Sequence, residues 1–86
     1  MPVKGISYSK DAIRTLRKIP VNVAATIRGK IEAYARNPAS VANNVKALAG
    51  RADVKRLRVG DWRVIFREDN VVIAIIKVGV RGDVYH

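Results

Sequence analysis

The chain has 86 residues, no cysteine, one histidine, and 17 lysines and arginines against seven acidic residues, for a formal charge of +10. That length holds one domain with one modest core; the absence of cysteine excludes disulfides, thiolate metal sites and a cysteine nucleophile, and a lone histidine argues against zinc. The charge repels itself in the compact state and attracts polyanions from a distance, so the expected partner is acidic: nucleic acid, an anionic surface or an acidic protein segment.

The opening residues, MPVKGISYSK, lack the apolar run of a signal peptide, and the longest apolar stretch, Val71 to Ile76, is far too short to span a bilayer. A soluble cytoplasmic protein without a membrane partner is therefore expected. Val3 to Tyr8 alternates in part and reads as an edge strand. Ser9 offers an N-cap oxygen and Asp11 a first-turn negative charge, while Ala12, Ile13, Leu16 and Ile19 recur at helical spacing before Pro20. A second helix follows from Val21 to Asn37, with Ala24, Ile27, Ile31 and Tyr34 on one stripe and Pro38 as its stop. Gly29 costs that helix roughly 1 kcal/mol relative to alanine, which suggests close packing against a neighbour.

Residues 38 to 52, PASVANNVKALAGRA, read as a loop with a helical turn, anchored by Val45 and Leu48. Asp53 to Val59 and Trp62 to Glu68 then form two strands joined at Gly60-Asp61, a pair suited to a tight hairpin turn. After a turn at Asp69-Asn70, the segment Val71 to Val78 is almost continuously apolar and reads as a strand in the middle of the sheet, buried on both faces. Gly79 to Gly82 bends the chain and Asp83 to Tyr85 leaves a terminal stub. The order is β, α, α, β, β, β over one domain, residues 1–86. The fold class is α+β, a small antiparallel twisted sheet with both helices packed on one face.

Alternation places Leu57 and Val59 on one side of their strand and Arg56 and Arg58 on the other, and in the partner strand it separates Trp62, Val64 and Phe66 from Arg63, Ile65 and Arg67. With the apolar sets under the helices, the four arginines share the uncovered face. Strict alternation in the next strand adds Ile73, Ile75 and Lys77 to it. A mixed basic and apolar surface of this kind suits a phosphate chain, although charged runs are usually solvated. Trp62 and Phe66 are assigned to the core.

The run LRVGDWRVIF, followed at a hairpin's distance by VGVRGDVY, resembles the RelE family of toxins from bacterial toxin–antitoxin pairs, and the element order agrees along nearly the whole chain. The resemblance implies an endoribonuclease that cuts messenger RNA on the ribosome without metal or other cofactor and is silenced by a cognate antitoxin. It implies that Arg63 and Arg81 handle the scissile phosphate and that Tyr85 serves in proton transfer. Arg56 stands where well-studied relatives carry a catalytic lysine; arginine is almost never deprotonated, so there it can stabilise charge but hardly act as a base. Val54 occupies a position where a further lysine can occur, with Lys55 beside it.

Metal-free cleavage proceeds by attack of the ribose 2′-OH on the adjacent phosphate, giving a cyclic phosphate and a free 5′-OH. A guanidinium can donate two parallel hydrogen bonds to the phosphate oxygens as charge develops, which suits Arg63 and Arg81, and Lys55, Arg58, Arg67 and Lys77 can hold flanking phosphates. The base is open between Tyr85, with a reference pKa of about 10 that neighbouring cations lower, and His86, with one of about 6.5 but at the chain's last position. Two other functions compete: a toxin like the related ParE proteins, which act on DNA gyrase by binding, and an RNA- or ribosome-binding module without chemistry.

Overall fold

A computed structural model describes residues 4–48 and 51–80, the side chains of residues 51 and 52 excepted. The elements run Gly5–Tyr8 (β1), Lys10–Lys18 (α1), Val21–Arg36 (α2), a 3-10 segment Pro38–Asn44, Val45–Leu48 (β2), Arg51–Val59 (β3), Trp62–Glu68 (β4) and Val72–Val80 (β5). The strands form one sheet in the order β1-β5-β4-β3-β2. Among the described residues no helix is long and apolar enough to cross a membrane.

Both helices form where the sequence suggests, and for the same reasons. Ser9 caps α1 by accepting from the Ala12 N–H at 3.0 Å, and Ala12 and Leu16 are its buried positions. In α2 the stripe Ala24, Ile27, Ile31 and Tyr34 is buried, joined by Ala35. These side chains meet Leu57, Val59, Val64 and Phe66 from the sheet in a single core that Trp62 flanks, half-buried. Burying Ile27, Ile31 and Phe66, each almost wholly withdrawn from water, stabilises the fold by roughly 1.5–3 kcal/mol per side chain. Gly29 is exposed: among the described residues a methyl group there would meet no atom within 4 Å, so they supply no close neighbour of the kind inferred from the sequence.

The α+β class and the one-sided helix layer are as expected, and the sheet differs in three particulars. It is mixed, because β1 lies parallel to β5 while all other pairs are antiparallel. A further strand, β2, lies within the expected loop; at four residues it is too short to show periodicity, and the 3-10 segment before it is kinked at the buried Val41. Lastly, β5 is second from the edge, with β4 central, and is not buried on both faces.

The cause of that last difference is a β-bulge. Phe66 pairs with Ile75 but Ile65 pairs with Lys77, so Ile76 is an extra residue in β5. Ile73 and Ile75 therefore belong to the core beneath the helices, not to the uncovered face, and Val78 returns to that core beyond the bulge. The two-residue turn of the β3–β4 hairpin needs a positive φ at Gly60 alone, 59°, the requirement at the first central position of a II′ turn.

Candidate nucleic-acid interface

Cross-strand pairing arranges the uncovered face in rows. One row runs Lys46, Arg56, Ile65 and Lys77 across β2, β3, β4 and β5. The next holds Arg58 opposite Arg63, with Gly79 on the far flank of Arg63 presenting no side chain. Neighbouring strands lie about 4.8 Å apart and same-face residues of one strand about 6.8 Å, so the two rows set cations at spacings that a polynucleotide backbone can track. A small apolar patch of Val54, Ile65 and Leu48 lies within this cationic surface.

Arg63 is the unusual member, at 8% exposure the one charged residue buried among those described. Its Nη1 donates to the carbonyls of Gly60 at 3.2 Å and Trp62 at 3.3 Å, which orients the guanidinium and, among the described residues, leaves most of its donors uncommitted. Among the described residues no carboxylate lies within ion-pair distance of Arg63, Arg58 or Lys46. Like charges directly opposite one another on two strands destabilise a sheet, so the Arg58–Arg63 pair is retained against the interest of folding. An anion spanning the two guanidinia reverses the sign of that interaction.

The other candidate residues divide. Arg56 and Lys77 lie half-buried on the open face. Arg67 is on it too, but its Nε is 3.2 Å from Asp53 Oδ2 in an exposed ion pair, so its charge is partly answered. Lys55 is on the opposite side: it donates to Glu68 at 2.8 Å and to the Tyr34 hydroxyl at 3.4 Å, below the helices. That hydrogen bond to Glu68 raises the Lys55 pKa although burial lowers it. Arg81, Tyr85 and His86 fall outside the described residues.

The sequence reading missed Lys46, which sits beside Arg56 only because residues 45–48 form a strand. It also missed a second basic surface. Lys10, Arg14, Arg17 and Lys18 line a groove of about 450 Å³ with Ile13 along α1, on the helix side of the sheet. Residues four apart on a helix are neighbours, so this stripe too is self-repelling.

A mixed five-stranded sheet, two helices on one face and a cationic open face are the RelE-like toxin fold. The structure superposes with a TM-score of 0.78 on the RelE chain of an archaeal RelE–RelB complex from Pyrococcus horikoshii, at 24% identity over 94% of this chain and 98% of that one. A mutant Escherichia coli RelE in the free state gives 0.79 at 20% identity, covering 98% and 92% of the two chains. A RelBE toxin–antitoxin complex from Mycobacterium tuberculosis gives 0.71 at 24% identity, covering 93% and 100%. No curated protein sequence matches the chain. Residues 6–85 match the profile of the ParE toxin of the type II toxin–antitoxin system parDE, and the chain belongs to that family, within the RelE/ParE superfamily.

Proposed function

We propose that this toxin is a messenger-RNA endoribonuclease that works on the ribosome and is held inactive by a cognate antitoxin. The observation that carries the reading is Arg63: a buried guanidinium on the open face, oriented by two backbone carbonyls, opposed by Arg58 and answered by no carboxylate among the described residues. Such a group is preorganised for an anion whose charge grows during reaction, as the phosphorane's does. Arg58, Arg56, Lys46 and Lys77 hold the flanking phosphates. Arg81 joins Arg63 at the scissile phosphate and Tyr85 transfers the proton, roles that come from the family resemblance; His86 is the alternative base, on the chemistry of its imidazole alone. The antitoxin follows from relatives whose structures are complexes of RelE with RelB.

The family profile favours a second reading, a ParE-type toxin that inhibits DNA gyrase by binding. In that case the open face docks on protein or DNA and cuts nothing.

One pair of assays separates the two. Purified ribosomes carrying a defined message are incubated with the toxin and the new ends mapped, and gyrase supercoiling is followed with the same preparation. Discrete cuts bearing a 5′-OH, with supercoiling unaffected, are expected. Inhibited supercoiling with an intact message would establish the ParE-type activity instead, and binding without either effect would leave an RNA-binding module.

A further inference from the structure

The bulge at Ile76 has a partner at the junction of β1 and α1. Regular alternation aims successive carbonyls of a strand at opposite neighbours, yet the carbonyls of Ile75 and Ile76 both accept from Ser9: the first from its backbone N–H at 2.9 Å, the second from its hydroxyl at 2.6 Å. The same hydroxyl oxygen accepts from the Ala12 N–H at 3.0 Å as the N-cap of α1. Both capacities of one hydroxyl are thus used, one for the helix and one for the bulge.

The core already dictates which side of the sheet each residue of β5 takes. Without the bulge, with Ile76 paired to Ile65, Lys77 would oppose Val64 under the helices and Val78 would turn outward, an arrangement that hydrophobic burial forbids. What the core leaves free is the tilt of the peptide joining Ile76 to Lys77. Holding its carbonyl fixes that tilt, and with it the direction in which the Lys77 side chain starts.

We propose that Ser9 is a positioning residue for the open face: by holding the Ile76 carbonyl, its hydroxyl fixes the tilt of the bulged peptide and so aims Lys77 at the phosphate chain. The proposal rests on the reading of that face as an RNA surface. Ser9 touches no substrate and acts through Lys77.

Three substitutions separate the latch from the helix cap. Ser9→Thr keeps both the acceptor and the donor. Ser9→Asp keeps an excellent cap but has no proton to give the Ile76 carbonyl, and Ser9→Ala loses both. The expected pattern has two parts. In NMR spectra of the full chain, the amide signals of Ile76, Lys77 and Val78 move in the Asp and Ala variants and stay near wild type in Thr. With a single-stranded RNA oligonucleotide as probe, Ser9→Ala lowers the slope of log affinity against log salt by about 0.7, one phosphate contact, as Lys77→Gln does. Adding Ser9→Ala to Lys77→Gln lowers the slope no further. Wild-type-like amide signals in Ser9→Asp, or additive losses in the double variant, overturn the proposal and leave Ser9 as a helix cap alone. Wild-type protein that binds no RNA removes the premise, and is recognised as that failure because the amide comparison does not depend on RNA.

Discussion

Lys55 and Glu68 form an ion pair of 2.8 Å on the side of the sheet that the helices cover, away from the arginines. Glu68, its side chain 8% exposed, also accepts from Lys4 at 2.6 Å and from the Tyr34 hydroxyl at 2.6 Å. One carboxylate thereby joins the residue preceding β1 to α2, β3 and β4. Burial pushes the Glu68 pKa up, but the hydrogen bonds from Lys4, Lys55 and Tyr34 outweigh it and hold it at about 2. Burial, reinforced by the bond to Glu68, raises the Tyr34 pKa, so that phenol stays protonated and donates.

Glu68→Gln should therefore destabilise the protein by about 1–3 kcal/mol at neutral pH, through the loss of charged hydrogen-bond acceptors. The effect depends on pH with a definite sign. The carboxyl is more acidic folded than unfolded, so its stabilisation is complete above the unfolded value of about 4.5 and fades as pH falls toward about 2. Urea titrations at pH 7 and pH 2.5 should show the gap between wild type and variant closing in acid. A gap that persists unchanged would mean that packing, not ionisation, is at stake.

Lys55 and Lys46 make a matched pair of tests, since both are lysines of the same antiparallel strand pair. Lys55→Gln is expected to lower the melting temperature by several degrees and leave the salt slope of RNA binding unchanged, because its charge is spent on Glu68. Lys46→Gln should do the opposite, with little change in stability and a slope lower by about 0.7. Interchanged results would transfer the RNA surface to the helix side.

Gly29 and Gly60 should respond in opposite senses. Gly29→Ala meets open space inside a helix and should stabilise by about 0.5–1 kcal/mol. Gly60→Ala carries a side chain into φ 59° and should cost about 1–2 kcal/mol. Denaturant midpoints measure both; an unaffected midpoint for Gly60→Ala would show that the hairpin adopts another turn.

Much of this fold is legible because its determinants are local. Ser9 and Pro20 bound one helix, the Ala24–Ile27–Ile31–Tyr34 stripe marks the other, and Gly60-Asp61 fixes the hairpin register that puts Arg56, Arg58, Arg63 and Arg67 together. The errors come from non-local terms. β2 exists because β3 offers it an edge, and no pattern within four residues can announce that. The parallel place of β1 beside β5 depends on where the chain returns after three strands. In β5, the spacing from Ile75 to Val78 does break the two-residue period, but inside an apolar run the break is hidden, and only pairing with Ile65 and Phe66 reveals the bulge. Lys55 was misplaced by proximity to Arg56: adjacent residues in a strand point to opposite faces.

Arg63 offers the sharpest test of the functional reading, because its cost to folding and its value to catalysis should separate. Among the described residues its side chain is held only by carbonyls on or beside the hairpin turn, and it stands opposite Arg58, so Arg63→Ala relieves a like-charge pair while giving up two modest hydrogen bonds. Stability should change by less than about 1 kcal/mol. Cleavage should fall by roughly 10²-fold or more, the scale of losing one donor to a transition-state oxyanion, with a smaller loss of RNA affinity. Arg63→Lys keeps the charge but not the planar fork, and should recover binding more fully than rate. Melting curves, RNA affinity and single-turnover cleavage on the three proteins decide the matter. Equal losses of binding and rate in both variants would make Arg63 part of a docking surface and return the ParE-type reading to first place.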